Sequence, residues 1–362
     1  MKERVLRIFS NLAEPVDAIL LMNDQEPMAD AGFFYAAGVE SGLFEECPAI
    51  LWPDGRVQLL TSRLEETSAR ASSADIQVFF SSAEREALLQ EALKGVKRLG
   101  INGPGITCRG MRAVEKAVPE ARFVDVEQAI GRARMIKDRK EVENIREACR
   151  IASRVADQIP DFLRLGMPEY EAAAEIGYRM QKMGASSVSF DTIAAFGPGS
   201  AEPHYVPGDR RLEAGDPALF DFGCKYRRYC SDITRTFLAA YQEKQARRMY
   251  EVVLEAQRRA IGAVRAGVAG SDVDAAARSY IDSTEFKGRL IHSTGHGLGL
   301  NVHDGGRLAP NIDLVLEENM IMTVEPGVYL PGVGGVRIED DVRVTKDGCE
   351  VLTSAKRELR VI

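Results

Sequence analysis

At 362 residues the chain exceeds one ordinary domain and suits two, and its 45% hydrophobic and 28% charged shares are those of a globular protein. Lys+Arg 47 against Asp+Glu 54 leaves a net charge of −7, so no overall basic footprint is present and nucleic acid is not an expected partner. No apolar run approaches the length of a bilayer span, and the charged, amphipathic start Met1–Ser10 lacks a signal-peptide core, so a cytoplasmic protein without membrane association is expected. Cys47, Cys108, Cys149, Cys224, Cys230 and Cys349 form no CxxC pair and read as reduced thiols.

Residues 1–130 read as an α/β unit. Asp17–Met22 and Phe33–Ala37 are apolar runs that suit buried strands. Ala49–Trp52 and Val57–Leu60 flank an Asp54-Gly55 turn and form a hairpin, and Ile76–Phe80, Leu99–Ile101 and Ala121–Asp125 are further strands. Helical patterns lie at about 83–95 and 107–117. Gly103-Pro-Gly105 is a turn and not a phosphate loop, since no Lys-Ser/Thr follows it. No catalytic constellation stands out in this half.

Residues 131–362 read differently. After Arg134–Lys140, apolar residues from Val142 to Val155 recur at helical spacing, with Asp138 as N-cap and Pro160 as terminator. Further helices are expected from Pro168 to Gly184, from about 245 to 266, and from Ser271, where Asp274 would serve the first-turn amides. Strand pairs at 188–196, 217–223 with 230–238, and 320–328 with 335–345 make this portion α+β.

The chemistry sits in those strand pairs. Asp221 lies inside the apolar run Leu219–Phe222, where a carboxylate has to be paired, protonated or bound to a cation. A two-residue loop at Tyr226-Arg227 would place Asp232 directly opposite Asp221, and two facing carboxylates repel unless a cation lies between them. Taken alone, the hairpin also suits a solvated Asp232 and a satisfied core Asp221. The second pair repeats the arrangement: Glu325 and Glu339 are symmetric about Gly332, so a three- or five-residue glycine-rich loop sets them opposite each other. Three of the four histidines, His292, His296 and His303, cluster within twelve residues. Two Asp, two Glu and His296 make an oxygen-rich donor set with one imidazole, which suits two divalent ions holding a water or hydroxide between them. Mn²⁺ or Co²⁺ fits best, with Fe²⁺ and Zn²⁺ compatible. His204, after the Gly197-Pro-Gly199 loop, and His303 would, near such a metal site, be able to donate a hydrogen bond or proton to a tetrahedral intermediate, and each taken alone also suits an ordinary core or surface histidine. His292 reads as a substrate contact or a support for His296.

These segments resemble the proline-specific metallopeptidases, comprising Xaa-Pro aminopeptidase, Xaa-Pro dipeptidase (prolidase) and their relatives. The matching pieces are Arg134–Asp138, Phe190–Ile193, Glu202–His204, Phe220–Gly223, Ser231–Thr236, His292–Asp304, Val324–Gly327 and Gly334–Asp340, in the family's order. The resemblance implies a pita-bread catalytic domain behind a smaller creatinase-like α/β domain, a homodimer, and a peptide or dipeptide substrate with proline in second position. It implies Asp221, Asp232, His296, Glu325 and Glu339 as metal ligands, with Asp232 and Glu339 spanning both ions. Glu325 is then also a general base, and His204 and His303 hold and protonate the amide. Arg307, in Gly305-Gly306-Arg307, is a candidate for the carboxylate of a dipeptide. A metal-free creatinase-type amidinohydrolase, a methionine aminopeptidase, a lyase or a binding module on the same fold are the competing readings. The complete ligand set argues against the first and the last.

Overall fold

The computed structural model describes residues 1–25, 27–241 and 244–362, and the chain divides into two compact units, Met1–Arg134 and Met135–Ile362. In the first, six strands form one mixed sheet in the order Asp75–Phe79, Val57–Ser62, Pro48–Leu51, Ala18–Met22, Arg98–Ile101, Arg122–Asp125. The hairpin around Asp54-Gly55 pairs antiparallel, while Ala18–Met22 runs parallel to Arg98–Ile101, which requires the crossover helices expected of an α/β unit.

Phe33–Ala37 departs from expectation. It belongs to the helix Ala31–Ala37, whose N-cap Asp30 accepts from the Gly32 amide at 2.7 Å and whose end is closed by Gly38. A short apolar run fits either period, and here the Asp cap and the terminal glycine decide for the helix. Helices Lys2–Ser10 and Glu127–Met135 were also not anticipated.

The second unit is built twice over from one plan. In its first half, helices Arg139–Phe162 and Glu169–Lys182 cover a three-stranded antiparallel sheet of Ile193–Phe196, Pro217–Phe222 and Ile233–Leu238. Edge-to-face contacts of Phe220 with Phe196 and Phe237, at 5.9 and 6.0 Å between centroids, fill its core. In its second half, helices Lys244–Ala263 and Gly270–Asp282 cover the sheet of Ile321–Val324, Asp340–Val344 and Cys349–Val351. The halves meet where Thr236 Oγ1 donates to the Arg337 carbonyl at 3.0 Å and the Glu339 amide donates to the Thr234 carbonyl at 3.1 Å. This is the pita-bread arrangement.

Two helix details differ from the sequence reading. Asp138 caps its helix through a reciprocal capping box with Glu141, but Pro160 lies inside the last turn and the helix runs on to Phe162. Asp274 does not cap its own helix; its Oδ1 accepts from the Thr294 amide and hydroxyl at 3.2 and 2.8 Å.

Candidate metal centre and active site

Between the two halves of the second unit lies a cavity of ≈ 210 Å³, lined among others by His204, Asp221, Asp232, His292, His296, His303, Glu325, Arg337 and Glu339. Two acids come from the first half, on either side of one hairpin. That hairpin turns at Arg227-Arg228, both with positive φ (46° and 72°), and Tyr226 pairs with Tyr229. The expected Tyr226-Arg227 loop is therefore corrected by one residue, and Asp221 pairs with Thr234 and not with Asp232. The shift of two keeps the side-chain parity, so both acids still reach the cavity. Gly223 lets the strands close tightly here, since a Cβ would fall 1.8 Å from the Ser231 carbonyl oxygen. The Asp232 amide donates to Asp341 Oδ2 at 2.9 Å, which fixes that backbone.

The second pair keeps the expected register. Val324 pairs with Asp340 and Gly327 with Arg337, which leaves Glu325 and Glu339 facing each other across a three-residue tip, 331–333. His296 is brought in from the short strand Gly295–His296, whose Gly295 packs so close to Thr323 that a Cβ would meet its carbonyl oxygen at 2.0 Å. The His296 amide donates to Thr323 Oγ1 at 3.0 Å, and that hydroxyl donates on to Glu325 Oε1 at 3.3 Å.

The donor atoms of Asp232, His296 and Glu339 lie within 4.8 Å of one another, and His296 Nε2 is 3.4 Å from Glu325 Oε1 and 3.7 Å from Asp232 Oδ2. His296 Nδ1 donates to the Gly297 carbonyl at 3.1 Å, so a neutral ring presents the Nε2 lone pair to the acids. Burial, then the charge of His303, lowers its pKa to about 4. Burial raises the carboxyl of Asp232 well above its usual range, with Glu339 and Asp221 adding to it. Glu339 is raised by burial and by Glu325, and burial lifts Glu325 to about 7 against the pull of Arg337.

Asp221 Oδ1, Asp232 Oδ1 and Glu339 Oε1 are buried and lack any hydrogen-bond partner. Crowded acids with orphaned oxygens beside an imidazole lone pair are costly unless cations occupy the space between them. The donor set therefore fits divalent metal.

Residues 143–346 match the family model for metallopeptidase family M24, and residues 4–136 match that for the Creatinase/Prolidase N-terminal domain. The chain belongs to metallopeptidase family M24. Among its relatives, an Xaa-Pro dipeptidase from Pyrococcus furiosus is 39% identical over 271 residues, 75% of this chain and 78% of that protein. The solved Xaa-Pro dipeptidase from Bacillus anthracis superposes with a TM-score of 0.91 at 34% identity, covering 100% of this chain and 99% of that one. The X-Pro aminopeptidase from Thermotoga maritima MSB8 gives a TM-score of 0.92 at 32% identity, covering 99% and 100%. This chain is thus a prolidase-like metallopeptidase that uses divalent metal.

Of the remaining sequence candidates in this M24 peptidase, His204 and His303 are exposed side chains on the cavity wall. His303 stacks edge-on against His296 at 4.2 Å, and burial together with Arg307 lowers its pKa. His292 Nδ1 donates to the Ser293 carbonyl at 2.7 Å, and its Nε2 accepts from Tyr329 Oη at 2.8 Å. Burial, then Arg337, lowers His292 to about 4. Arg307 is exposed, pairs with His296 along the backbone, and is not among the residues lining the cavity.

Of the partners that orient these groups, sequence reasoning offers Arg337, beside Glu339, as a structural partner for the acids and misses Thr234 and Tyr329. Arg337, buried to 2% exposure, donates from Nη2 to Asp221 Oδ2 at 2.6 Å, from Nη1 to Tyr329 Oη at 2.9 Å and from Nε to Thr234 Oγ1 at 3.1 Å. Thr234 Oγ1 in turn donates to Glu339 Oε2 at 2.7 Å. Tyr329 carried no signal in the sequence; only its place opposite Gly335, two residues before Arg337, could have suggested it.

Proposed function

We propose that this peptidase is a dinuclear-metal exopeptidase that hydrolyses the Xaa-Pro peptide bond and releases the N-terminal residue, as an Xaa-Pro dipeptidase or aminopeptidase P. The observation that carries the reading is the convergence of Asp221, Asp232, His296, Glu325 and Glu339 on one cavity, with three of their oxygens buried and unpartnered. The proline preference is taken from the similar Xaa-Pro dipeptidases and X-Pro aminopeptidase.

In this reading Asp221, Asp232, His296, Glu325 and Glu339 would hold two divalent ions. When bound, the metal supplies Lewis acidity that polarises a carbonyl and acidifies water. The chain's own residues do the rest. Glu325, held from one side by Thr323, is the general base that takes the proton from attacking water. His303 and His204, on the cavity wall, donate to the reacting amide and its departing nitrogen. His292, kept neutral by burial and by Arg337 and oriented by Tyr329, faces the substrate with an uncharged ring. Phe190, Ile193 and Val302 give the same cavity an apolar side suited to a pyrrolidine ring. A homodimer and a cytoplasmic location belong to the same reading; six unpaired cysteines support the latter, and no helix among the described residues is long and apolar enough to cross a membrane.

Assaying Ala-Pro beside Ala-Pro-Ala-Ala with Mn²⁺ or Co²⁺ present tests the proposal. Cleavage of the dipeptide alone identifies a dipeptidase, and cleavage of the longer peptide an aminopeptidase P. Stoichiometric metal with neither peptide cleaved contradicts it.

A further inference from the structure

His204 stands on the cavity wall, and among the described residues none holds its ring by a hydrogen bond, so its position is that of the loop that carries it. That loop runs from Phe196, at the end of a strand, through the turn Gly197–Ala201 to Arg210. Its first part is tied to the strand Gly334–Arg337, where the Gly335 amide donates to Ser200 Oγ at 2.8 Å. Its start and its far arm are both held by one side chain. Glu169, in the first turn of the helix Glu169–Lys182 and 0% exposed, accepts on Oε1 from the Phe196 amide at 2.9 Å. Its Oε2 accepts from Tyr205 Oη at 3.0 Å and from the Gly208 amide at 2.9 Å. The helix start also binds the loop back, with the Glu169 amide on the Arg210 carbonyl at 3.0 Å and the Tyr170 amide on the Gly208 carbonyl at 3.2 Å.

We infer that Glu169 is a positioning residue that sets His204 against the substrate. One buried carboxylate gathers donors from the start of the loop, from the residue next to His204 and from the loop's far arm. An acceptor-only group is needed, because all three partners donate. The second half contains the counterpart: Asp274, near the start of its second helix, holds Thr294 by amide and hydroxyl, midway between His292 and His296. Its partner Arg278 donates to the His292 carbonyl at 2.8 Å. Each half thus uses one acid near the start of its second helix to fix the segment carrying its histidines.

The inference rests on the proposed role of His204, and a double-mutant cycle on whichever of Ala-Pro and Ala-Pro-Ala-Ala the protein cleaves tests it. Glu169→Gln keeps the volume but replaces one acceptor by a donor. It is expected to lower kcat/KM by roughly 10- to 100-fold, the cost of a catalytic group displaced by about 1 Å. The same substitution made on top of His204→Ala is expected to cost almost nothing further, because the two act through one ring. Equal losses in both backgrounds overturn the inference. If Glu169→Gln does not fold, Tyr205→Phe removes one of the three donors and carries the same cycle. A crystal structure of either variant decides without turnover: His204 displaced supports the assignment, and His204 unmoved overturns it. A wild-type protein that cleaves neither Ala-Pro nor Ala-Pro-Ala-Ala contradicts the proposed function alone, and the crystallographic comparison still decides the role of Glu169.

Discussion

Arg337 Nη2 donates to Asp221 Oδ2 at 2.6 Å, while Oδ1 of the same carboxylate is buried without a partner. Half of Asp221 is thus committed to a guanidinium and half is left for something else. The pair is almost dry, with side-chain exposures of 3% and 13%. Breaking a buried pair from one side costs about 3–5 kcal/mol, because it strands the other charge. Arg337→Ala is expected to destabilise the protein by about that amount, measured by urea unfolding. Arg337→Lys recovers only part of the loss, since an ammonium cannot serve Asp221, Tyr329 and Thr234 together.

The pH dependence of the metal-free protein follows from the acids. Asp232 and Glu339 are raised in the folded state, Glu325 to about 7 and, through burial, Asp341 to about 8. Groups with raised folded values stabilise the fold fully below their unfolded pKa of about 4 and lose that contribution as pH rises through the folded values. The Tm of protein held in chelator is therefore expected to fall as pH rises from about 5 to about 8. Saturating Mn²⁺ removes or reverses the fall, since ionised carboxylates bind it better. A chelated protein whose Tm stays level or rises over that range contradicts the account of these acids.

Tyr329 Oη receives Arg337 and donates to His292, so it links the acid side of the cavity to the histidine side. Tyr329→Phe leaves a buried Arg337 N–H unsatisfied, a cost of about 1–3 kcal/mol. It also removes the donor that fixes the His292 ring. A larger loss in kcat than in KM for Ala-Pro is expected, with metal content unchanged.

Arg307 lies outside the cavity lining. Arg307→Ala is therefore expected to leave KM for Ala-Pro within roughly threefold of wild type, which rules out a carboxylate clamp by this residue. Because Arg307 lowers His303, its removal should raise the His303 pKa, readable by NMR in a protein with four histidines.

Much of the site was legible because acids inside apolar runs are anomalous, and because strand pairing turns spacing into distance. Glu325 and Glu339 face each other as the Gly332 symmetry requires. The first hairpin was misjudged by one residue at its turn, since Arg227-Arg228 carries neither the Gly nor the Asn that usually marks two left-handed positions. Side-chain parity protected the conclusion from that error. The clamps were invisible for another reason. Glu169 reaches Gly208 across 39 residues, and nothing local marks it as different from its neighbour Glu171, while Asp274 reads locally as a first-turn acid and reaches Thr294 across 20 residues instead. In the first unit, Phe33–Ala37 shows the limit of short apolar runs, which fit either period until their caps are recognised.

The central claim is that five side chains hold two divalent ions that the reaction requires. Metal analysis of the chelated and reconstituted protein, coupled to Ala-Pro hydrolysis, tests it most directly. Activity is expected to vanish in chelator and return with Mn²⁺ or Co²⁺ as two equivalents bind per chain, and Asp232→Asn should abolish both binding and return. Full hydrolysis by protein stripped of metal, or two bound equivalents with neither Ala-Pro nor Ala-Pro-Ala-Ala cleaved, would contradict the account.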